Sequence, residues 1–338
     1  MTASVKTSIP PRHEHPFAQF VRILGKGKKG TRSLTEEEAQ TAMTMIMEGQ
    51  VEDVQLGAFL MLLRVKEESP EELLGFVRAV RGQILPPRVL SVDLDWSSYA
   101  GKRRHLPWYL FSIFLLAQQG IRVFIHGASG HTIDRIYTED ILTDLGMQVA
   151  RDWQQCEQHL DQQGFAYFPL QYLCPQLHRV IELRNTLGLR SPVHTLARLL
   201  NPCDAPAVIQ GIFHPGYRPV HQLAAQALGY PRVDVIKGEA GEIERNPDGE
   251  CLIQSVRNGE LLDTTWPAMF DRRHRKESEL DLGHFVAVWR GDAEHEYGEA
   301  AVIGTTAIAL CLLGRADNRE QAEPLARELW ALRDRSLL

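Results

Sequence analysis

The chain has 338 residues, 44% of them hydrophobic and 24% charged, with a formal net charge of −6. That is ordinary globular composition, long enough for about two domains, and it excludes disordered, collagen-like and coiled-coil classes. It also excludes a uniformly basic nucleic-acid binder, although not a locally basic surface.

Residues 1–16, rich in Pro and His, read as a flexible arm without the apolar stretch of a secretory signal. Phe17, Phe20, Val21 and Leu24 then recur at helical spacing. A glycine- and lysine-rich stretch, GKGKKGTRS, interrupts. Thr35 and Glu38 form a capping box that opens a helix running through Met43, Ile46 and Met47 to near Gly49. A third helix is expected from Asp53 or Val54 to about Val65. A fourth opens with Ser69 as cap and Pro70 at the first helical position, where its missing N–H costs nothing. Residues 17–85 therefore read as a small helical domain.

Beyond residue 86 the rhythm changes. Strands are predicted at Val89–Leu94, Ile121–His126, Phe165–Phe168, Ala207–Phe213 and Arg232–Ile236. Helices are predicted at Trp108–Gly120, Ile136–Leu145, Pro219–Leu228 and 298–314. This alternation predicts an α/β domain around a central, mostly parallel sheet. No apolar run reaches the ~18–20 residues of a bilayer span. The five cysteines (Cys156, Cys174, Cys203, Cys251, Cys311) are odd in number and lack metal-ligand spacing. They point to a reduced, cytoplasmic compartment.

Several motifs stand in a recognisable order: LTEEEA, a GAFLM helix, a strand ending at His126-Gly127, the stretch Asp140–Gly146, LRNTLGLR from Leu183 to Arg190, and LLNP from Leu199 to Pro202. Over about residues 17–330 this order resembles the anthranilate phosphoribosyltransferases. Those belong to glycosyltransferase family 3, within the class II nucleoside phosphorylase/phosphoribosyltransferase superfamily. The resemblance implies a helical domain completed by inserted helices near 172–200, an α/β domain from 86–171 and 201–338, and a homodimer formed through the helical domain.

The active-site motifs depart from that pattern. The family's Gly-Thr-Gly-Gly-Asp loop holds pyrophosphate on backbone N–H groups, and a Cβ would block the approach. Residues 97–107 read SSYAGKRRHLP instead. The family's Lys-His-Gly-Asn-Arg becomes IHGAS at 125–129, and its magnesium-binding Asp-Glu pair is absent from EAGEIE at 239–244. Arg184 matches the family's anthranilate-contacting arginine, with a domain-interface ion pair as the other reading. His126, Gly127 and Arg184 thus mark a vestigial substrate cleft. The pattern resembles the divergent YbiB-like branch, which keeps the fold and is associated with sequence-independent nucleic-acid binding.

Three basic clusters carry that reading. Lys26, Lys28, Lys29 and Arg32 sit among glycines; Lys102, Arg103 and Arg104 occupy the former phosphate loop; Arg272, Arg273, Arg275 and Lys276 flank His274. Such cations neutralise phosphates without reading bases. Tyr99 and Trp108 are the candidates for base stacking. Each cluster has a plainer reading as solvated loop. The stretches Ser129-Gly130-His131 and Glu294–Glu299 fit neither a nucleophile nor a metal motif. No catalytic residue, metal or cofactor is assigned.

The expected function is non-specific binding of DNA or RNA by a homodimer with no membrane partner. The alternative is a glycosyl- or phosphoribosyltransferase of altered acceptor specificity, with magnesium required only there. In that case Arg103 and Arg104 would face the diphosphate and Arg184 an acceptor carboxylate. An inactive paralogue acting through protein contacts is a third reading. Joint replacement of Lys102, Arg103 and Arg104 by alanine is expected to weaken nucleic-acid binding without unfolding the protein.

Overall fold

The computed structural model describes residues 14–27, 29–84, 86–277 and 279–338. The expected arm falls mostly on 1–13 and the Lys28 contact on residue 28, outside the described residues.

Four helices open the chain: α1 (Ala18–Gly25), α2 (Glu36–Met47), α3 (Asp53–Lys66) and α4 (Pro70–Ile84). The capping box at α2 forms as expected. Thr35 Oγ1 accepts from Glu38 N at 3.2 Å, and Glu38 Oε2 accepts from Thr35 N at 2.9 Å. Gly75 lets α4 lie on α2, since a Cβ there would stand 2.3 Å from the Glu36 carbonyl oxygen. Phe17, Phe59 and Phe76 pack edge-on through the middle of the unit.

One buried acid ties these helices together. Glu72, wholly buried, accepts from Leu34 N at 2.8 Å, Ser69 N at 2.9 Å and Lys66 Nζ at 2.7 Å.

The larger unit runs β1 (Leu94–Ser98), α5 (Tyr109–Gln118), β2 (Val123–Gly127), α6 (Thr138–Asp144), α7 (Trp153–Gln163) and β3 (Phe165–Pro169). Short helices α8 (Leu170–Leu173), α9 (Pro175–Glu182), α10 (Arg184–Leu187) and α11 (Val193–Leu196) follow. Then come β4 (Ala207–Ile212), α12 (Arg218–Ala227), β5 (Arg232–Lys237), β6 (Cys251–Arg257) and β7 (Glu260–Trp266). Three helices close the chain: α13 (Leu282–Arg290), α14 (Glu296–Leu312) and α15 (Arg319–Ala331).

The sheet order is β3-β2-β1-β4-β5-β6-β7, with β1 to β5 parallel and β6 and β7 an antiparallel hairpin. The fold is therefore α/β, a small helical bundle beside a largely parallel sheet. The gly-rich helix α14 is buried nearly throughout, and Gly298 and Gly304 admit the Trp108 ring and the Arg245 stem. No helix among the described residues is long and apolar enough to cross a membrane.

The expected strand at Val89–Leu94 is corrected. The strand begins where that reading ends, and Val89 is 95% exposed. Buried polar residues Asp95, Ser97 and Ser98 hide β1 from a reading based on apolar runs.

Glu72→Ala is expected to lower stability by about 3 kcal/mol, because it leaves two backbone donors and an ammonium without their acceptor. Glu72→Gln should lose less. The urea midpoint followed by circular dichroism measures both.

Candidate functional site

Parallel strands bring the carboxyl ends of β1, β2, β4 and β5 to one end of the sheet, where α/β folds place ligands. Two loops meet there, 98–107 after β1 and 238–245 after β5. Gly211 and Gly238 permit the meeting: a Cβ at Gly238 would lie 1.5 Å from the Glu242 carbonyl oxygen, and one at Gly211 2.6 Å from it.

A side chain occupies the backbone amides after β1. Glu242, wholly buried, accepts from Ala100 N and Gly101 N through Oε1 at 2.6 Å each, and from Ser98 Oγ through Oε2 at 2.8 Å. An ammonium stands opposite it. Lys102 Nζ donates to Glu239 Oε2 and Glu244 Oε1 at 2.5 Å each, and Tyr109 N donates to the other Glu244 oxygen at 3.0 Å.

Burial works against the Lys102 ammonium, yet Glu244 and Glu239 outweigh it and hold its pKa above the ordinary value. Burial, only partly offset by Lys102, pushes Glu244 up to about 7. Arg135 completes the seam by donating to the Ala100 and Gly101 carbonyls at 2.8 and 2.9 Å. These carboxylates do not fit a magnesium ion, because an ammonium already stands between Glu239 and Glu244.

Several sequence expectations are corrected here. Lys102 is wholly buried in two ion pairs and does not face solvent phosphate. Tyr99 and Trp108 are wholly buried as well. The Tyr99 hydroxyl bonds His126 Nδ1 at 2.7 Å, and Trp108 packs on Phe285 and His295, so neither ring can stack on a base.

His126 is a core residue whose Nε2 lies 3.2 Å from Asp95 Oδ1. Gly127 is needed for close strand packing, since a Cβ would meet the Ser98 carbonyl oxygen at 2.1 Å. Arg184 donates to the His131 carbonyl at 2.5 Å. Ser129 bonds Glu139 while His131 bonds the Tyr99 carbonyl, so they form no nucleophile pair. His295 caps α14, and Glu296 holds Arg272 and His274.

Two basic clusters more than 160 residues apart in sequence come together. Glu277 N donates to the Arg104 carbonyl at 3.1 Å, and Glu277 Oε2 accepts from Leu106 N at 3.1 Å. Its Oε1 lies 3.3 Å from His105 Nδ1, and the His105 ring stacks on Tyr297 at 4.3 Å. Asp248 anchors His274 through both N and Nδ1, at 2.7 and 2.6 Å. Arg103, Arg104, Arg272, Arg273, Arg275 and Lys276 are exposed along these joined loops. Lys26 and Lys29 are exposed on the helical unit, where Arg32 is held in a two-pronged pair by Glu38 at 2.6 and 2.7 Å.

Sequence reading missed Glu239, Glu242, Glu244 and Glu277. Their signal was the acidic EAGEIE run itself, read only for a missing magnesium pair.

The comparisons agree with this fold. Residues 19–83 match the helical bundle domain of a glycosyl transferase family, and residues 110–331 match the a/b domain of a glycosyl transferase family. The chain is 28% identical to the uncharacterized protein YbiB of Escherichia coli over 68% of this chain and 73% of that one. It is 31% identical to an anthranilate phosphoribosyltransferase of Pelotomaculum thermopropionicum over 84% of this chain and 85% of that one. The crystal structure of anthranilate phosphoribosyltransferase from Thermus thermophilus superposes with a TM-score of 0.78 at 23% identity, over 92% and 94% of the two chains. Helical bundle, sheet and motif order thus converge, and the chain belongs to this glycosyl transferase family as an anthranilate phosphoribosyltransferase-like member.

Proposed function

We propose that this chain is a sequence-independent nucleic-acid-binding protein, acting in the cytoplasm as a homodimer, on a phosphoribosyltransferase fold. The carrying observation is the Glu277 clasp, which gathers Arg103, Arg104, Arg272, Arg273, Arg275 and Lys276 on one exposed ridge. Long, exposed cations on adjoining loops neutralise successive phosphates without reading base edges. Lys26 and Lys29 add a second basic surface on the helical unit. In a homodimer each surface occurs twice, so a long strand gains from engaging both copies.

The transferase alternative rests on family membership and on 31% identity to a transferase. It would require Glu242 and Lys102 to leave the positions that a diphosphate and its counter-cation would take. That displacement would strand buried charges, which argues for binding over turnover.

Replacing Arg103, Arg104, Arg273 and Arg275 together by alanine should flatten the slope of log K against log salt by about 0.7 to 0.9 per lost phosphate contact. Melting temperature should stay unchanged, because exposed cations contribute only tenths of a kcal/mol. Fluorescence anisotropy with unrelated DNA and RNA oligomers measures the slope, and an unchanged slope would remove the ridge from the interface. In contrast, Lys102→Met should destabilise the fold by about 3–5 kcal/mol, since it leaves two carboxylates without their buried partner. Calorimetric titration with phosphoribosyl pyrophosphate should give no magnesium-dependent binding heat; saturable, magnesium-dependent binding would transfer the case to the alternative.

A further inference from the structure

Neither the ridge nor the sealed cleft uses a cavity of about 110 Å³ between the helical unit and the carboxyl end of β4. Three guanidiniums line it from separate directions: Arg64 from α3, Arg190 from the turn before α11, and Arg198 just after α11. None of them forms an ion pair among the described residues. Arg190 donates to Thr132 Oγ1 at 3.3 Å, Arg64 to the Tyr217 hydroxyl at 3.3 Å, and Arg198 to the Gly211 carbonyl at 2.9 Å and the His194 carbonyl. Burial and then the charges of Arg198 and Arg135 push Arg190 down to about 10. The lining carboxylate, Glu68, already accepts from the Thr195 and Tyr217 hydroxyls, and burial raises its pKa. Arg198 is buried and Arg64 and Arg190 are half-buried, and like charges lining one cavity favour an added anion.

Two further lining groups point to which anion. Ser191 Oγ and His194 Nε2 are buried and lack a hydrogen-bond partner among the described residues. His194 Nδ1 faces the Ser191 carbonyl at 3.3 Å, and a carbonyl can only accept, so Nδ1 carries the proton. Burial keeps the ring neutral, and Nε2 therefore offers a lone pair. A group seated here must be negative overall yet carry one O–H to donate to Nε2.

We propose that this cavity is a binding site for a protonated phosphoryl group, with inorganic hydrogenphosphate its simplest ligand. Arg64, Arg190 and Arg198 would meet its charged oxygens, Ser191 Oγ would donate to one of them, and its own hydroxyl would donate to His194 Nε2. A tetrahedral anion suits donors arriving from several sides, whereas one guanidinium fork satisfies a planar carboxylate. The volume takes an anion of this size. This inference stands independently of the ridge.

The experiment is calorimetric titration of the full chain at neutral pH with inorganic phosphate, sulfate and a 5′-phosphorylated dinucleotide. Saturable binding of phosphate to one site per chain is expected, with sulfate at least about tenfold weaker because it has no proton for His194. Arg190→Gln should weaken phosphate at least about tenfold while leaving the salt slope for DNA unchanged. Ser191→Ala should weaken it severalfold and serves if the arginine variant fails to fold. Competition by the dinucleotide would assign the site to a strand end, and its absence to free phosphate. No saturable heat, equal binding of sulfate and phosphate, or indifference to both substitutions would overturn the proposal.

Discussion

A buried carboxylate on two backbone amides governs the functional end of this molecule. Glu242 accepts from Ala100 N and Gly101 N at 2.6 Å each. An unpaired buried carboxylate would cost several kcal/mol, so the loop after β1 and the loop after β5 must close on each other. Lys102 follows from the same constraint. With the loop drawn inward, its ammonium enters the core and is tolerable only between Glu239 and Glu244. Arg103 and Arg104, the next two residues, are then turned to solvent beside Glu277.

Amides at a strand end make a concave donor set that takes an oxyanion from any source. Here the oxyanion is covalently part of the chain, and so is the cation opposite it. An internal ion loses no translational freedom on binding, so a free diphosphate competes at a disadvantage. Degradation of the motif and retention of the fold are therefore compatible. The carboxylates and the lysine tie the two loops together from within the chain.

Much of the fold was legible in the sequence because periodicity and caps report backbone structure directly. Thr35 with Glu38 and Ser69 with Pro70 marked helix starts that the structure keeps to within a residue. Strands β2 to β5 read as apolar runs, while β1 did not, because Asp95, Ser97 and Ser98 are buried polar groups serving the site. The hairpin β6–β7 escaped because β7 is exposed along almost its whole length and lacks an apolar run. The site itself was the least legible part. Nothing local in KRRH distinguishes a lysine that points inward from two arginines that point outward. The difference is set by Glu239 and Glu244, more than 130 residues away in sequence.

The same distance explains how an acidic chain carries a basic face. Formal charge counts every ionised group alike, whereas the field outside a protein depends on where each charge sits. Glu239, Glu242, Glu244 and Glu277 are turned inward onto an ammonium and backbone amides, and their field is largely spent within the seam. The guanidiniums beside them project outward into water. Burying these acids against amides keeps them from pairing with the arginines beside them, of which Arg272 is held by Glu296. Had Glu277 paired with Arg104 instead of with the amide of Leu106, that arginine would have been neutralised by the residue that joins the two loops.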